Sequence, residues 1–332
     1  MKMAEHYAKH GTYENVPAVY LKHGRYSAIL LPTIGGNLIS FRDDEAGYRF
    51  IREPEGEEWA GFAERPMVHG IPVLFPPNRY DAGVFEFDGR TYRLPVNEER
   101  TGNHLHGFLY ASPWEVADLA SDEQGSRVTV LIVFDDQHPD FKYFPHKMEF
   151  RHTYTLSENG LEQRFEARND SEQAVPFMLG YHTTVNAPFA EGSTVEDLEV
   201  GLAIGERWEL DERMLPTGRG LPLNEGEQRL REGRGNPYFE GLDNHYSASP
   251  VNGKNAMTIR DRRAGVTFVY DAGDVYKHWM VYNASANGKF FCPEPQLGMV
   301  NAPNVKLPEE TTGLLRLEPG ASWTGVSRMY VE

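Results

Sequence analysis

Glu294 lies between two prolines in Phe290-Phe291-Cys292-Pro293-Glu294-Pro295-Gln296. A residue before proline is pushed out of the helical region into extended geometry, and Pro293 fixes its own φ near −65°. The carboxylate therefore rides on a stiff, extended backbone among apolar neighbours. An acid held this way can have a raised pKa and serve as a proton acceptor near neutral pH. The competing reading of this segment alone is a solvated Pro-Glu-Pro turn at a loop tip. Cys292 shares the face of Glu294 if the segment is a strand. No basic neighbour lowers its pKa, so it reads as small core filler and not as a nucleophile.

Four other places concentrate reactive side chains. In Gly70-Ile71-Pro72-Val73-Leu74-Phe75-Pro76-Pro77-Asn78-Arg79, an apolar strand ends in two prolines and presents Asn78 and Arg79. The guanidinium fork suits vicinal hydroxyls or a carboxylate. In Asn103-His104-Leu105-His106-Gly107-Phe108, the two histidines share a face at strand period. A cupin-like metal site needs a glutamate four or five residues later, where Tyr110 and Ala111 stand. The spacing therefore argues against a metal. His182 closes the apolar run 175–179 at its outer end, where β-sandwiches place chemistry on loops. A satisfied structural histidine is the alternative there. Asp243 is placed to accept hydrogen bonds from a ligand or to form a turn.

The chain of 332 residues carries a formal net charge of −16, which disfavours nucleic acid and anionic membrane surfaces as partners. One cysteine permits no intrachain disulfide. Met1-Lys2-Met3-Ala4-Glu5-His6-Tyr7 lacks an apolar leader core, and no run approaches membrane-spanning length. These features lead to the expectation of a cytoplasmic protein. No nucleophile elbow or Walker loop is present. Gly35-Gly36 leads into another strand, so no dinucleotide fingerprint is formed.

The elements that must position these residues are short β-branched and aromatic runs separated by turn residues. Strands are expected over 16–21, 26–31, 37–41, 128–134, 148–156, 161–168, 256–260, 266–270, 278–282, 314–317 and 323–331. A hairpin is expected at Asp88-Gly89-Arg90, between 84–87 and 91–94. Helical periodicity is scarce, with a short piece expected near 207–213, and 218–241 reads as a long polar loop. The pattern predicts an all-β protein, a large antiparallel β-sandwich with few short helices, in one domain over 1–332.

The segments Gly70–Pro76 with Asn78-Arg79, Asn103 with His106-Gly107-Phe108 and Trp114, His182 with Asn186, Asp243, and Glu294-Pro295 with Asn301-Ala302-Pro303-Asn304 follow one another in the order found in the aldose 1-epimerase (mutarotase) family. Together the chain resembles that family from Gly70 to Asn304. The resemblance implies the galactose mutarotase-like supersandwich, an open sugar cleft and no cofactor or metal. It implies that Glu294 is the general base at O1 and His182 the general acid at the ring oxygen. Arg79, His106, Asp243 and Asn78 are then the substrate-binding residues. Mutarotation requires one proton removed and one donated across the C1–O5 bond, which a carboxylate and an imidazolium can supply. The sequence departs from the family at Thr183-Thr184-Val185, where proline and aromatics are common, and this bears on the pocket wall.

The expected partner is a free monosaccharide, a hexose, and the expected assembly is a monomer or homodimer. A hexose-phosphate mutarotase would want more cations at the cleft, with Arg231 and Arg234 as candidates. A non-catalytic carbohydrate-binding sandwich would use aromatics such as Trp279 for stacking.

Overall fold

Residues 5–286 and 290–332 are described by the computed structural model, so Met1 to Ala4, part of the stretch read for a leader, lie outside it. Two large antiparallel sheets dominate. One runs Glu115–Ser121, Ser126–Phe134, Met148–Ser157, Gly160–Asn169, Ser322–Val331, Val266–Asp271, Ala256–Asp261, Leu198–Leu202. The other runs Pro216–Leu221, Ile204–Leu210, Asp243–Ala248, His278–Tyr282, Phe290–Gln296, Gly180–Tyr181, Val73–Leu74, with Val185–Asn186 also paired to Phe290–Gln296. A third, five-stranded sheet takes the N-terminal segments from His6–Tyr13 to Tyr48–Arg49. The large antiparallel β architecture expected from the strand pattern is the one observed.

The strand period explains how the sheets meet. Along Met148–Ser157, Phe150, His152, Tyr154 and Leu156 are fully buried, while Arg151, Thr153 and Thr155 are only half-buried. The inward face reaches the other large sheet through Phe75–Phe150 and His152–Tyr181, with ring centroids 4.9 and 5.8 Å apart. Phe50, from the N-terminal region, stacks on Phe268 at 4.6 Å. Such aromatic pairs add about 0.5–1.5 kcal/mol each beyond the area they bury. One continuous apolar cluster therefore runs through all three sheets.

The Asp88-Gly89 signal forms a two-residue hairpin between Val84–Phe87 and Arg90–Arg93, with φ of 49° and 74° at its two central positions. Only turns with left-handed residues match the strand twist here.

Two expectations about helices and loops need correction, and one short helix falls where none was expected. The segment near 207–213 is not helical: Ile204–Leu210 is a strand paired on both sides. The segment 218–241 is not one loop, since it finishes the strand Pro216–Leu221 and contains the helix Glu225–Arg231. Asn224 starts that helix by accepting from Glu227 N–H, while Glu227 accepts from Asn224 N–H. Last, Glu58–Glu64 forms a helix that periodicity did not announce; it buries only Phe62, too little apolar repetition to register. No helix among the described residues is long and apolar enough to cross a membrane.

Candidate active site

Backbone pairing places the central residues. Gly180 pairs with Gln296, and Val185 and Asn186 pair with Phe291 and Phe290. Carried through, this register sets His182 opposite Glu294, Thr183 opposite Pro293 and Tyr181 opposite Pro295. Gly180 has no room for a side chain, because a Cβ there would come 2.9 Å from Gln296 Cγ and 3.1 Å from Pro77 Cβ. The strands can close around it only because it is glycine.

The two prolines sit where an ordinary residue would direct an N–H at the His182 segment. Leu297 donates to Leu179 O on that side, while Gln296 O accepts from Lys277 N–H on the other. Since peptide groups alternate along a strand, residues 293 and 295 face the same way as 297. Proline is unusual inside a sheet because it cannot donate. Here the missing donors fall opposite Tyr181 and Thr183, within the stretch 181–184 where no paired rung is formed. His182 is held instead from the other side, its N–H donating to Pro72 O at 3.0 Å.

The result is a cleft of about 600 Å³ whose lining includes all six candidate residues: Asn78, Arg79, His106, His182, Asp243 and Glu294. His182 Nε2 lies 3.2 Å from Glu294 Oε1. Glu294 is 1 % exposed and His182 5 %. Burial, reinforced by the Asp243 carboxylate, raises the Glu294 carboxyl well above the usual range. Burial lowers His182 to about 4, with Arg65 adding to the effect. Glu294 Oε2 and His182 Nδ1 have no protein partner.

Arg79 is used differently from the expectation of a free fork for hydroxyls. Its Nε and Nη2 donate to Glu98 Oε2 and Oε1 at 2.9 and 3.0 Å, and Nη2 also reaches Asp243 Oδ2 at 3.3 Å. Glu98 is thus a site residue that motif reading missed; its only signal was a carboxylate a few residues before the His104 motif. Thr101 Oγ1 also donates to Glu98. Arg79 thereby fixes the orientation of Asp243 at the start of the Asp243–Ala248 strand.

The two histidines of the H-x-H do not share a face. The strand ends at Leu105, and His106 turns into left-handed backbone with φ 69°. Asn78 is also left-handed, φ 57°, and its carbonyl accepts from His106 N–H at 3.0 Å. Such strained positions gather at functional sites. Gly107 is required beside them, since a Cβ would meet Phe75 O at 2.0 Å. His104 is structural: Gly107 N–H donates to its Nε2 at 3.1 Å, so its Nδ1 donates to Pro95 O at 2.7 Å. His106 instead meets His182 edge-on, with centroids 5.4 Å apart.

Other candidates fall elsewhere. Trp279 is 0 % exposed and donates to Asn255 Oδ1, so it cannot stack on a ligand. Arg231 and Arg234 line separate surface hollows. Thr183 and Thr184 are fully buried behind the cleft, where Thr183 meets Tyr270 and Thr184 meets Cys292, so they form no part of its wall. Cys292 is buried as expected of a core residue, but it touches the dyad region.

One further array looks catalytic and is not. Ser112 Oγ is 3.0 Å from His138 Nε2, with Asp140 beyond Nδ1. However, Asp140 N–H donates to Nδ1, and Ser112 donates to Phe108 O. The ring proton therefore sits on Nε2 and points at the serine, the reverse of an activated nucleophile.

Comparison with known proteins bears on the family and the fold. A family model described as Aldose 1-epimerase matches residues 17–330. Galactose mutarotase from Homo sapiens is 28% identical over 170 residues, 50% of this chain and 46% of that protein. The uncharacterized protein YihR of Escherichia coli (strain K12) is 25% identical over 201 residues, 60% of this chain and 59% of that protein. The chain thus spans about half the length of these relatives. The crystal structure of a galactose mutarotase-like protein from Clostridium acetobutylicum is 33% identical, with a TM-score of 0.95 and 99% of both chains covered. Galactose 1-epimerase from Lactobacillus acidophilus NCFM shares the fold, with a TM-score of 0.72 at 17% identity over 99% of each chain. The family match spans the cleft and every strand that builds it, and the chain belongs to the aldose 1-epimerase family.

Proposed function

We propose that this chain interconverts the α and β anomers of a free hexose by general acid/base ring opening and closure. The observation that carries the reading is the 3.2 Å approach of His182 Nε2 to Glu294 Oε1 within the cleft. O1 and the ring oxygen are bonded to the same carbon, so they lie closer together than two hydrogen-bonded atoms. Two groups at this separation can each address one of them.

Glu294 takes the O1 proton and His182 gives a proton to the ring oxygen as the C1–O5 bond breaks. The pair begins as carboxylate and imidazolium and ends as carboxylic acid and imidazole. Burial favours the uncharged form of both groups, so it favours the open-chain stage and offsets part of the cost of opening the ring. The C1–C2 bond then rotates, and the reverse transfers close the ring on the other face. Asp243, held by Arg79, accepts from hydroxyls, and His106 and Asn78 border the ring. Each proton-transfer group contributes about 10²–10⁴ in rate.

The test is Glu294→Gln. Anomer exchange followed by NMR should fall to the buffer rate while sugar binding persists. Full activity would sink the assignment of the base, and no acceleration by the unaltered protein would favour a non-catalytic sugar binder.

An anionic aldose such as a sugar phosphate is a second reading, supported by one observation. Arg65 and Arg100 border the cleft and, unlike Arg79, have no carboxylate partner within salt-bridge distance among the described residues. Rates on glucose and glucose 6-phosphate separate the two.

A further inference from the structure

Behind the acid–base pair lies a third reactive atom that the proposed reaction does not use. Cys292 is two residues before Glu294 on the same strand, so its side chain emerges on the same face. One ligand atom each from His182, Cys292 and Glu294 lies within 4.8 Å of the other two, and all three residues are buried. Glu294 Oε2 is buried without a protein partner. Thr184 Oγ1 is the nearest polar neighbour of the sulfur, at 3.4 Å.

We propose that His182, Cys292 and Glu294 form an inhibitory site for a thiophilic divalent cation such as Zn2+. An imidazole nitrogen, a thiolate sulfur and a carboxylate oxygen make a donor set suited to zinc, which takes three protein ligands and leaves a fourth position open. His182 and Glu294 line the cleft, so the open position faces the space where a sugar would lie. Binding displaces the thiol proton and engages the lone pairs that proton transfer needs. The bound cation therefore silences the pair without altering the fold.

Binding can be read without reference to activity. Titration of the whole protein with Co2+ should produce a thiolate-to-cobalt charge-transfer band that Zn2+ abolishes by competition. Cys292→Ser should lack the band. Loss of the sulfur should raise the Zn2+ concentration that halves anomer exchange by at least about tenfold, the lower end of what loss of even an outer-shell partner costs. The rate without metal should be unchanged in Cys292→Ser. Cys292→Ala repeats the comparison if serine impairs folding at this buried position. Absence of the cobalt band, or equal zinc sensitivity in the cysteine variants, would overturn the site. A band in a protein that does not accelerate anomer exchange would leave the metal site standing and remove the proposed reaction instead.

Discussion

His182 Nε2 and Glu294 Oε1 lie 3.2 Å apart, and burial moves their proton affinities in opposite directions. Apart, each shift would disable its residue for the assigned role: a histidine titrating near 4 is a poor cation, and a carboxyl with a raised pKa is a poor anion. Together the two shifts open a window above about pH 4 in which, in the proposed reaction, the pair holds one proton and passes it between partners. That single-proton state is what ring opening and closure both need.

The pH profile follows from this state. Activity should fall on the acid side as the pair takes a second proton near His182's value of about 4. It should fall on the alkaline side as Glu294 loses the last one. Asp243 raises the proton affinity of Glu294, so Asp243→Asn should move the alkaline limb of kcat to lower pH. NMR exchange rates across pH, corrected for buffer, check this; a limb that stays put would show that Asp243 does not act on the base.

Glu98 tests positioning apart from chemistry. Glu98→Gln keeps the shape but removes the charge opposite Arg79, whose fork then loosens its hold on Asp243. Hydrogen bonds to charged groups contribute about 1.5–3 kcal/mol, so KM should rise roughly tenfold or more, with kcat changed much less. Steady-state kinetics at neutral pH make the distinction. A fall in kcat alone would place Glu98 in the proton-transfer step.

Acid should weaken the fold at a pH set by buried histidines. Burial lowers His104, His182 and His278 to about 4 and His152 to about 3. Between about pH 6.5 and 4 the unfolded chain binds protons at these positions and the folded chain does not, so stability must fall as pH falls through that window. Thermal melts should show Tm dropping steadily across it. His152→Phe, which keeps an apolar ring among Tyr154, Phe165 and Tyr181, should flatten the slope.

We expect the three sheets to unfold as one unit, because a single apolar cluster joins them. Far-UV circular dichroism and tryptophan fluorescence should give coincident denaturant transitions. Two separated transitions would divide the chain into independently stable parts.

The strands were legible because their signal is local. Alternation over 148–157 and the Asp88-Gly89 turn depend only on neighbouring residues. The six cleft residues were legible as types, since a rigid acid, terminal histidines and an arginine after prolines are uncommon combinations. What could not be read was how each was used. Arg79 is taken up by Glu98, His104 by Pro95 and Gly107, and Trp279 by Asn255. Those partnerships depend on which strands become neighbours, and no spacing along the chain encodes that. The helix Glu58–Glu64 escaped notice because it buries one residue, and helical periodicity is visible only when a face is repeatedly apolar.

Pro293 and Pro295 have a mechanical consequence as well as a conformational one. A sheet is stiff across its strands because every small separation stretches a row of hydrogen bonds. Opposite residues 181–184 that row is interrupted, with closed rungs on either side at Gly180–Gln296 and Val185–Phe291. His182 and Glu294 therefore sit on a short window of the sheet with fewer cross-strand bonds than the frame around it. Their separation should adjust with fewer backbone bonds strained than elsewhere in the sheet, while the flanking rungs keep either strand from slipping.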